Sequence, residues 1–210
     1  RMLVTAPVTT RSGYGAHARD IVLSLLDLDK YDVSVFPVRW GNTAMDYLDE
    51  NDKQHKRILD ALIYELTEET YPQPDYHIHI VIPNEFQQWG KTYNIGITAG
   101  TEFTAIPGEW IEGLNKMDMT IVPSHFTKNV CLNTKYDKLN DKTNEKIGEA
   151  MVTKPMEVLF EGYDDKLYSP TNIIKSDLTT QLNTIKEDFC FLVCGHWLQG
   201  EFGHDRKDIS

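Results

Sequence analysis

The sequence predicts an α/β protein in which helices cover both faces of a mostly parallel sheet. Apolar runs that are typical of strands recur along the chain and alternate with helical or loop stretches. The first strand, the first helix and the second strand together match the scale of about thirty residues expected for a βαβ unit. No internal sequence repeat interrupts this alternation.

The amino-terminal half contains four predicted strands and two predicted helices. The strands correspond to the stretches "MLVTAPV", "DVSVFPVR", "YHIHIVIP" and "YNIGITAG". The first helix has one apolar face, formed by Ala18, Ile21, Val22, Leu25 and Leu26. The second helix is predicted from the same spacing at Ile58, Leu59, Leu62, Ile63 and Leu66.

The following part of the chain continues the pattern. The stretch "PGEWIEGLNKM" predicts a helix with Pro107 in its first turn, and "MTIVPS" predicts a strand whose Ser124 caps the next helix. Residues 135–154 are polar and charged, which indicates a surface helix or an insertion. The stretch "MEVLFEGYD" then predicts another strand and a turn.

The domain organisation is predicted from a polar stretch late in the chain. We expect a first domain at residues 1–170 and a linker with a short helix at residues 171–188. At residues 189–210 we expect the first strand and loop of a second, truncated domain, because "FCFLVCGHW" begins a new apolar run.

Composition and charge narrow the classes of function. The chain is 40% hydrophobic and 25% charged, which is ordinary for a globular protein. Its net charge of -11 argues against nucleic acid as the main partner, since phosphate binding requires clustered Lys and Arg. Three cysteines without paired spacing favour a reduced, cytoplasmic setting. No transmembrane segment is predicted, because no apolar run approaches the roughly 20 residues of a membrane span.

The loop after the first strand, "TTRSGYGAHARD", carries a glycine motif. Gly13, Gly15 and Ala18 match the G-x-G-x-x-G/A pattern of Rossmann-like dinucleotide-binding folds. A helix that begins there presents free N–H groups to an anion. Residues 9–12 separate the strand from the first glycine, whereas the fingerprint normally lies at the strand's end. Arg39 after the second strand suits a 2′-phosphate, so an NADP-dependent oxidoreductase and a tight turn without ligand both stay open.

Carboxylates follow two of the other strands. Glu102 comes after the fourth strand, and Glu161, Gly162 and Asp164 follow the strand that begins near Met156. Ligand sites of open α/β sheets lie outside the carboxyl ends of the strands, so these residues are candidates for a site. Solvated loop carboxylates, a helix-capping acid and an ordinary acidic turn are the alternatives.

Several motifs in a fixed order carry a resemblance to a known family. They are Thr98, Glu102, Pro107, Trp110, Asn115, Asp118, Val122, Pro123, Ser124 and Phe126, followed by "EGYDDKLYSP". The block resembles the retaining glycosyltransferases of the GT-B fold, the group that includes sucrose, glycogen and mannosyl transferases. "SGYGAHAR" is similar to the family's glycine loop, and "FLVCGHWLQGEFGHDRKDIS" resembles the opening of its second domain. Tyr163 and Tyr168 are conservative departures from the family pattern.

The resemblance implies two Rossmann-like domains that face each other across a cleft. The amino-terminal domain would hold a sugar or another hydroxyl acceptor, and the carboxy-terminal domain would hold a nucleotide-sugar. Transfer would retain the anomeric configuration without a metal or another cofactor. Because nearly all of the donor-side domain is missing, residues 1–210 alone are expected to be inactive. A binding domain that kept the fold without the chemistry is a further alternative.

The resemblance also implies roles for individual residues. Glu102 would have a catalytic role, orienting the reacting sugar or stabilising its charge. The donor diphosphate would be bound by the residues of the glycine loop and by a basic pair, namely Gly13, Gly15, Arg206 and Lys207. The acceptor side of the cleft would be lined by Tyr14, Glu161, Gly162 and Asp164. His77 and His79 share a strand face but lack a third ligand nearby, so no metal site is expected.

Overall fold

A computed structural model describes residues 1–67, 69, 71, 73–140, 142–166, 168–169 and 177–191. The chain divides into two compact units, Arg1–Gly162 and Tyr163–Ser210. The second unit contains one described helix, and its residues 189–191 are not in a strand. The rest of the strand expected at residues 189–197 lies outside the described residues, so the proposed second domain stays a prediction.

The described elements follow the predicted alternation. The strands are β1 (Met2–Ala6), β2 (Val33–Pro37), β3 (Tyr76–Ile80), β4 (Tyr93–Ile97), β5 (Met119–Val122), β6 (Lys135–Leu139), β7 (Lys146–Met151) and β8 (Met156–Val158). The helices are α1 (Gly13–Asp27), α2 (Lys53–Asp60), α3 (Gly108–Lys116), α4 (His125–Asn133) and α5 (Asp177–Leu182), with a 3₁₀ turn at Pro83–Glu85.

Six of the strands form one sheet in the order β2-β1-β3-β4-β5-β8. Every pair of neighbouring strands in this sheet is parallel. The strand order runs outward in two directions, because β2 lies on one side of β1 and the later strands lie on the other. The predicted α/β class with a mostly parallel sheet and flanking helices is confirmed.

Two apolar clusters flank the sheet. The first joins Ala18 and Val22 of α1 and Ile58 of α2 to the inward residues of the strands. The second contains Ile111 and Leu114 of α3 and Val130 and Cys131 of α4. Ile121 and Val122 of β5 belong to different clusters, as expected for neighbours on a strand, whose side chains point to opposite faces.

The second helix is shorter than predicted. Its apolar spacing extends to Leu66, but α2 ends at Asp60. Leu62 forms a parallel bridge with Val35, and the Ile63 N–H donates a hydrogen bond of 2.9 Å to the Val35 carbonyl. Leu62 and Ile63 therefore extend the edge of the sheet at β2 instead of continuing the helix.

Residues 135–154 contain an antiparallel hairpin, so the expectation of a surface helix is wrong and that of an insertion remains. β6 and β7 pair with each other outside the main sheet. The hairpin is exposed along all of β6, so it lacks the alternation of buried and exposed residues that marks a strand in a sequence. A cross-strand ion pair of 2.7 Å between Lys146 and Asp137 supports it, and the Tyr136 hydroxyl donates to the Ile106 carbonyl.

Candidate functional site

The candidate site lies at the carboxyl edge of the six-stranded sheet. The chain leaves β1 toward β2 on one side and leaves β3 toward β4 on the other. The loops after β1 and β3 therefore diverge, which leaves a crevice between them at the point where the strand order reverses. The loops that follow β4 and β8 reach the same edge, because all these strands are parallel.

The glycine loop spans residues 7–15 and runs into α1, whose first turn contains Gly13 and Gly15. The Ser12 side chain accepts a hydrogen bond of 2.9 Å from the Gly15 N–H, which caps α1. Thr10 stabilises the loop by donating to the Pro7 carbonyl, and it also bonds the Ser12 hydroxyl. The loop is therefore fixed by its own hydrogen bonds.

The two glycines of the motif have different surroundings. A Cβ at Gly15 would collide with the backbone carbonyl of Thr10, so this glycine permits the close contact between loop and helix. A Cβ at Gly13 would have nothing within 4 Å. Because the Gly15 N–H is bound to Ser12, the Gly13 N–H at the first helical position is the better placed donor for an anion. Diphosphate binding at these glycines stays a prediction.

The buried side chain of Arg19, which the sequence analysis missed, donates hydrogen bonds to the backbone of the glycine loop. Arg19 lies on α1, and its Nη1 donates hydrogen bonds of 2.9 Å to the carbonyls of Val8 and Thr10. Its guanidinium also lies 3.6 Å from the centroid of the Tyr47 ring. A sequence pattern gives no signal for this arrangement, because both carbonyls belong to the backbone of a loop.

Tyr14 connects the glycine loop to the loop after β4. Its hydroxyl accepts a hydrogen bond of 3.1 Å from the Ala99 N–H and bonds the Thr98 hydroxyl at 2.9 Å. Its ring stacks on Trp40 with 4.1 Å between centroids. Burial raises the pKa of Tyr14, and the charges of Glu161 and Glu85 raise it further. The carboxylates of Glu161 and Glu85, which follow different strands, therefore both raise the pKa of Tyr14.

Glu102 is exposed in the loop between β4 and α3. Gly100 shapes this loop, since its φ of +86° favours glycine and a Cβ there would collide with Thr127. The Phe103 N–H donates to the Thr101 hydroxyl in the same turn. Glu102 thus lies in the same loop as Thr98, one of the partners of Tyr14. Its catalytic role stays a prediction.

His17 and Glu161 form a pair that the sequence analysis did not foresee. The imidazole Nδ1 lies 3.6 Å from a carboxylate oxygen of Glu161, and the His17 side chain is only 14% exposed. His17 lies one turn into α1, whereas Glu161 follows β8 at the edge of the sheet. The pair provides a carboxylate and an imidazole that are suited to proton exchange and charge stabilisation.

The remaining predicted site residues are Gly162, Asp164, Arg206 and Lys207. Gly162 is exposed at the end of the first unit, and Asp164 belongs to the second, where its side chain accepts a hydrogen bond from the Lys166 N–H. Arg206 and Lys207 lie outside the described residues. Their predicted contacts with a diphosphate therefore stay predictions.

The described residues contain no group of three or more His, Cys, Asp and Glu side chains arranged to hold a metal ion. Within the same residues, every helix is too short or too polar to cross a membrane. Comparison of the chain with protein-family models, curated proteins and solved structures finds no significant match.

Proposed function

We propose that this chain is the acceptor-side part of a retaining glycosyltransferase that uses a nucleotide-sugar. The observation that carries the proposal is the grouping of Tyr14, the His17–Glu161 pair and the Glu102 loop at one edge of a parallel sheet. They come from three separate segments of the chain. The ordered motifs of the sequence support the same assignment.

The proposed reaction breaks the bond between the anomeric carbon of the sugar and an oxygen of the diphosphate. A bond forms between that carbon and the acceptor oxygen, and the acceptor's proton leaves with the diphosphate. Positive charge develops on the sugar ring during this exchange, so carboxylates held nearby lower the barrier. Glu102 and Glu161 would supply this stabilisation, with His17 orienting Glu161.

The glycine loop would act on the leaving group. The Gly13 N–H, at the first position of α1, has no acceptor within its own helix and lies at the positive end of the helix dipole. It would bond an oxygen of the diphosphate as negative charge accumulates there. Arg206 and Lys207 would add a basic pair, which we propose from the resemblance alone.

An NADP-dependent oxidoreductase is a weaker proposal. β1 ends at Ala6 and α1 begins at Gly13, so six residues separate strand and helix. The dinucleotide fingerprint needs its first glycine at the end of the strand, where the backbone approaches the pyrophosphate. Gly15, the second glycine, has its N–H occupied by Ser12.

The test is a transfer assay on the protein expressed from its complete coding sequence. Uridine, guanosine and adenosine diphosphate sugars are each incubated with a mixture of mono- and disaccharide acceptors. Release of nucleoside diphosphate and formation of a new glycoside are measured together. The proposal expects both products from one donor class, with retained anomeric configuration by NMR.

Matched variants identify the site. Glu102→Gln and Glu161→Gln each remove one charge without changing shape and are expected to lower kcat at least about tenfold, or roughly 1.4 kcal/mol of barrier. Glu112→Gln on the exposed face of α3 is the control and should leave the rate unchanged. Binding of a nucleotide-sugar without turnover would favour the non-catalytic binding domain instead. Oxidation of NADPH would favour the oxidoreductase.

A further inference from the structure

A pocket of about 650 Å³ opens on the sheet face opposite α1, away from the glycine loop. Thr5 of β1 and the two histidines of β3, His77 and His79, form its buried floor. Phe36, Val38 and Trp89 are among the half-buried residues of its wall. This volume falls in the range of pockets that bind small organic ligands.

The pocket lies where the helix of a crossover connection would be expected. Crossovers between parallel strands are right-handed, so the segment between β2 and β3 should cover the face opposite α1. α2 instead contacts α1 through an ion pair of 2.6 Å between Arg57 and Asp27, and Ile58 packs in the first apolar cluster. The described residues between Ile63 and Asp75 form no helix, and Leu66 among them lines the pocket.

His77 has a complete set of hydrogen bonds. Asn94 is oriented by its Nδ2, which donates to the Thr92 carbonyl, and by its Oδ1, which accepts from the Trp89 N–H. The same Oδ1 lies 3.0 Å from His77 Nδ1, so that nitrogen carries the proton. His77 Nε2 therefore accepts from the Thr5 hydroxyl at 3.0 Å.

The His79 ring has one hydrogen-bond donor, Nε2–H, for which no described residue provides an acceptor. Its Nδ1 accepts a hydrogen bond of 3.0 Å from the Gln87 N–H, so the proton of the neutral ring lies on Nε2. The side chain is only 5% exposed, and no described residue accepts a hydrogen bond from Nε2. Burial, with a smaller contribution from His77, lowers the pKa of His79 to about 4, so the ring stays neutral at pH 7. The Nε2 atom is not among the fully buried side-chain atoms that lack a partner, so this donor opens to the pocket, where a ligand can supply an acceptor.

We propose that this pocket binds a small uncharged molecule with a planar apolar ring and a carbonyl oxygen that accepts a hydrogen bond from the His79 Nε2–H. The apolar wall suits the ring, and a neutral imidazole favours a neutral acceptor over an anion. Arg39 and Glu85 lie at the exposed rim with opposite charges, which gives the entrance no strong preference for a charged ligand. None of these residues belongs to the proposed transferase site, apart from the electrostatic influence of Glu85 on Tyr14.

Benzamide is the probe, since it combines a planar ring with a carbonyl, and toluene is the matched compound without the acceptor. Amide and side-chain NMR shifts of the full chain are followed during each titration. We expect benzamide to shift the Gln87 amide and the Trp89 indole with a Kd on the order of 1 mM, a typical affinity for a ligand of this size. Toluene should bind at least about fivefold more weakly, because it leaves the donor unpaired.

Two substitutions of His79 distinguish the acceptor role of Nδ1 from the donor role of Nε2. In His79→Asn the amide oxygen replaces Nδ1 as the acceptor for Gln87, but the side chain ends short of the Nε2 position. In His79→Gln the amide nitrogen reaches that position and restores a donor. We expect benzamide affinity to fall about 5- to 10-fold in His79→Asn and to recover in His79→Gln.

A third variant tests the pocket without changing the buried histidine, whose substitution can impair folding. Leu66→Trp fills the pocket from its half-buried wall and should abolish the benzamide shifts while the amide spectrum elsewhere stays unchanged. Absence of shifts in the wild-type chain, equal affinity for toluene, or unchanged binding in Leu66→Trp would each overturn the proposal. None of these outcomes bears on sugar transfer, which is measured separately.

Discussion

The imidazole of His17 and the carboxylate of Glu161 lie 3.6 Å apart, although three strands separate β1 from β8 in the sheet. The segment after β8 therefore returns across the carboxyl edge to reach α1. The loop after β8 therefore lies beside α1, the helix that also carries Tyr14. The loops that follow β4 and β8 are thus linked through α1.

The first prediction concerns the strength of this pair. We expect the double-mutant cycle of His17→Ala and Glu161→Ala to give a coupling free energy of about 0.2–1 kcal/mol in urea unfolding, because Glu161 is half exposed. A coupling of zero would contradict the pairing.

The second prediction separates the two glycines. Gly15→Ala should lower the free energy of unfolding by about 1–3 kcal/mol, because the new methyl group collides with the Thr10 carbonyl and the loop must shift. Gly13→Ala meets open space and should change it by less than about 1 kcal/mol. Thermal and urea unfolding measure both variants. Equal stability of the two would mean that the loop does not contact the helix at Gly15.

The third prediction tests the link from Tyr14 to the loop after β4. Tyr14→Phe removes the hydroxyl that accepts from Ala99 and bonds Thr98, and it should cost about 0.5–1.5 kcal/mol of unfolding free energy. Tyr64→Phe is the control, since Tyr64 is 77% exposed. In a spectrophotometric titration, one tyrosine of the wild type should ionise above the ordinary range, and this component should be absent in Tyr14→Phe.

The sequence allowed prediction of the strands of the main sheet because each is a short apolar run between turn residues. β1 and β3, for example, have buried side chains at almost every position, as a sheet covered on both faces requires. The hairpin of β6 and β7 escaped prediction since its strands bury no face. The end of α2 escaped too, because Leu62 pairs with β2 through the backbone, which leaves no pattern in the side chains.

The candidate site was predicted less completely than the sheet. A rule about the carboxyl ends of strands singled out Glu102 and Glu161, since that rule depends only on strand direction. The partners of these residues depend on contacts between distant parts of the chain. Tyr14 meets Thr98 across 84 residues, and Arg19 binds backbone carbonyls, so neither contact leaves a local signal.

The last prediction is a loss of stability in mild acid caused by His79. Burial lowers the pKa of this histidine from 6.5 to about 4 in the folded chain, and that of neighbouring His77 is lowered as well. Between these pH values the unfolded chain binds more protons than the folded one, so the free energy of unfolding falls as the pH falls. The stability is fully present above pH 6.5 and is lost toward pH 4. His79 alone should remove about 2 kcal/mol between pH 7 and pH 5.

Variants assign this loss to His79. His79→Gln, which does not titrate, should flatten the pH dependence by about that amount, whereas His125→Gln at an exposed position should leave it unchanged. The aspartates whose pKa values are lowered by their partners, such as Asp46 and Asp52, bind protons only below their ordinary range and contribute at more acidic pH. Glu85 and Arg39 are charged residues of the pocket rim. If His79→Gln lost as much stability as the wild type between pH 7 and pH 5, the neutral, buried state of His79 would be refuted.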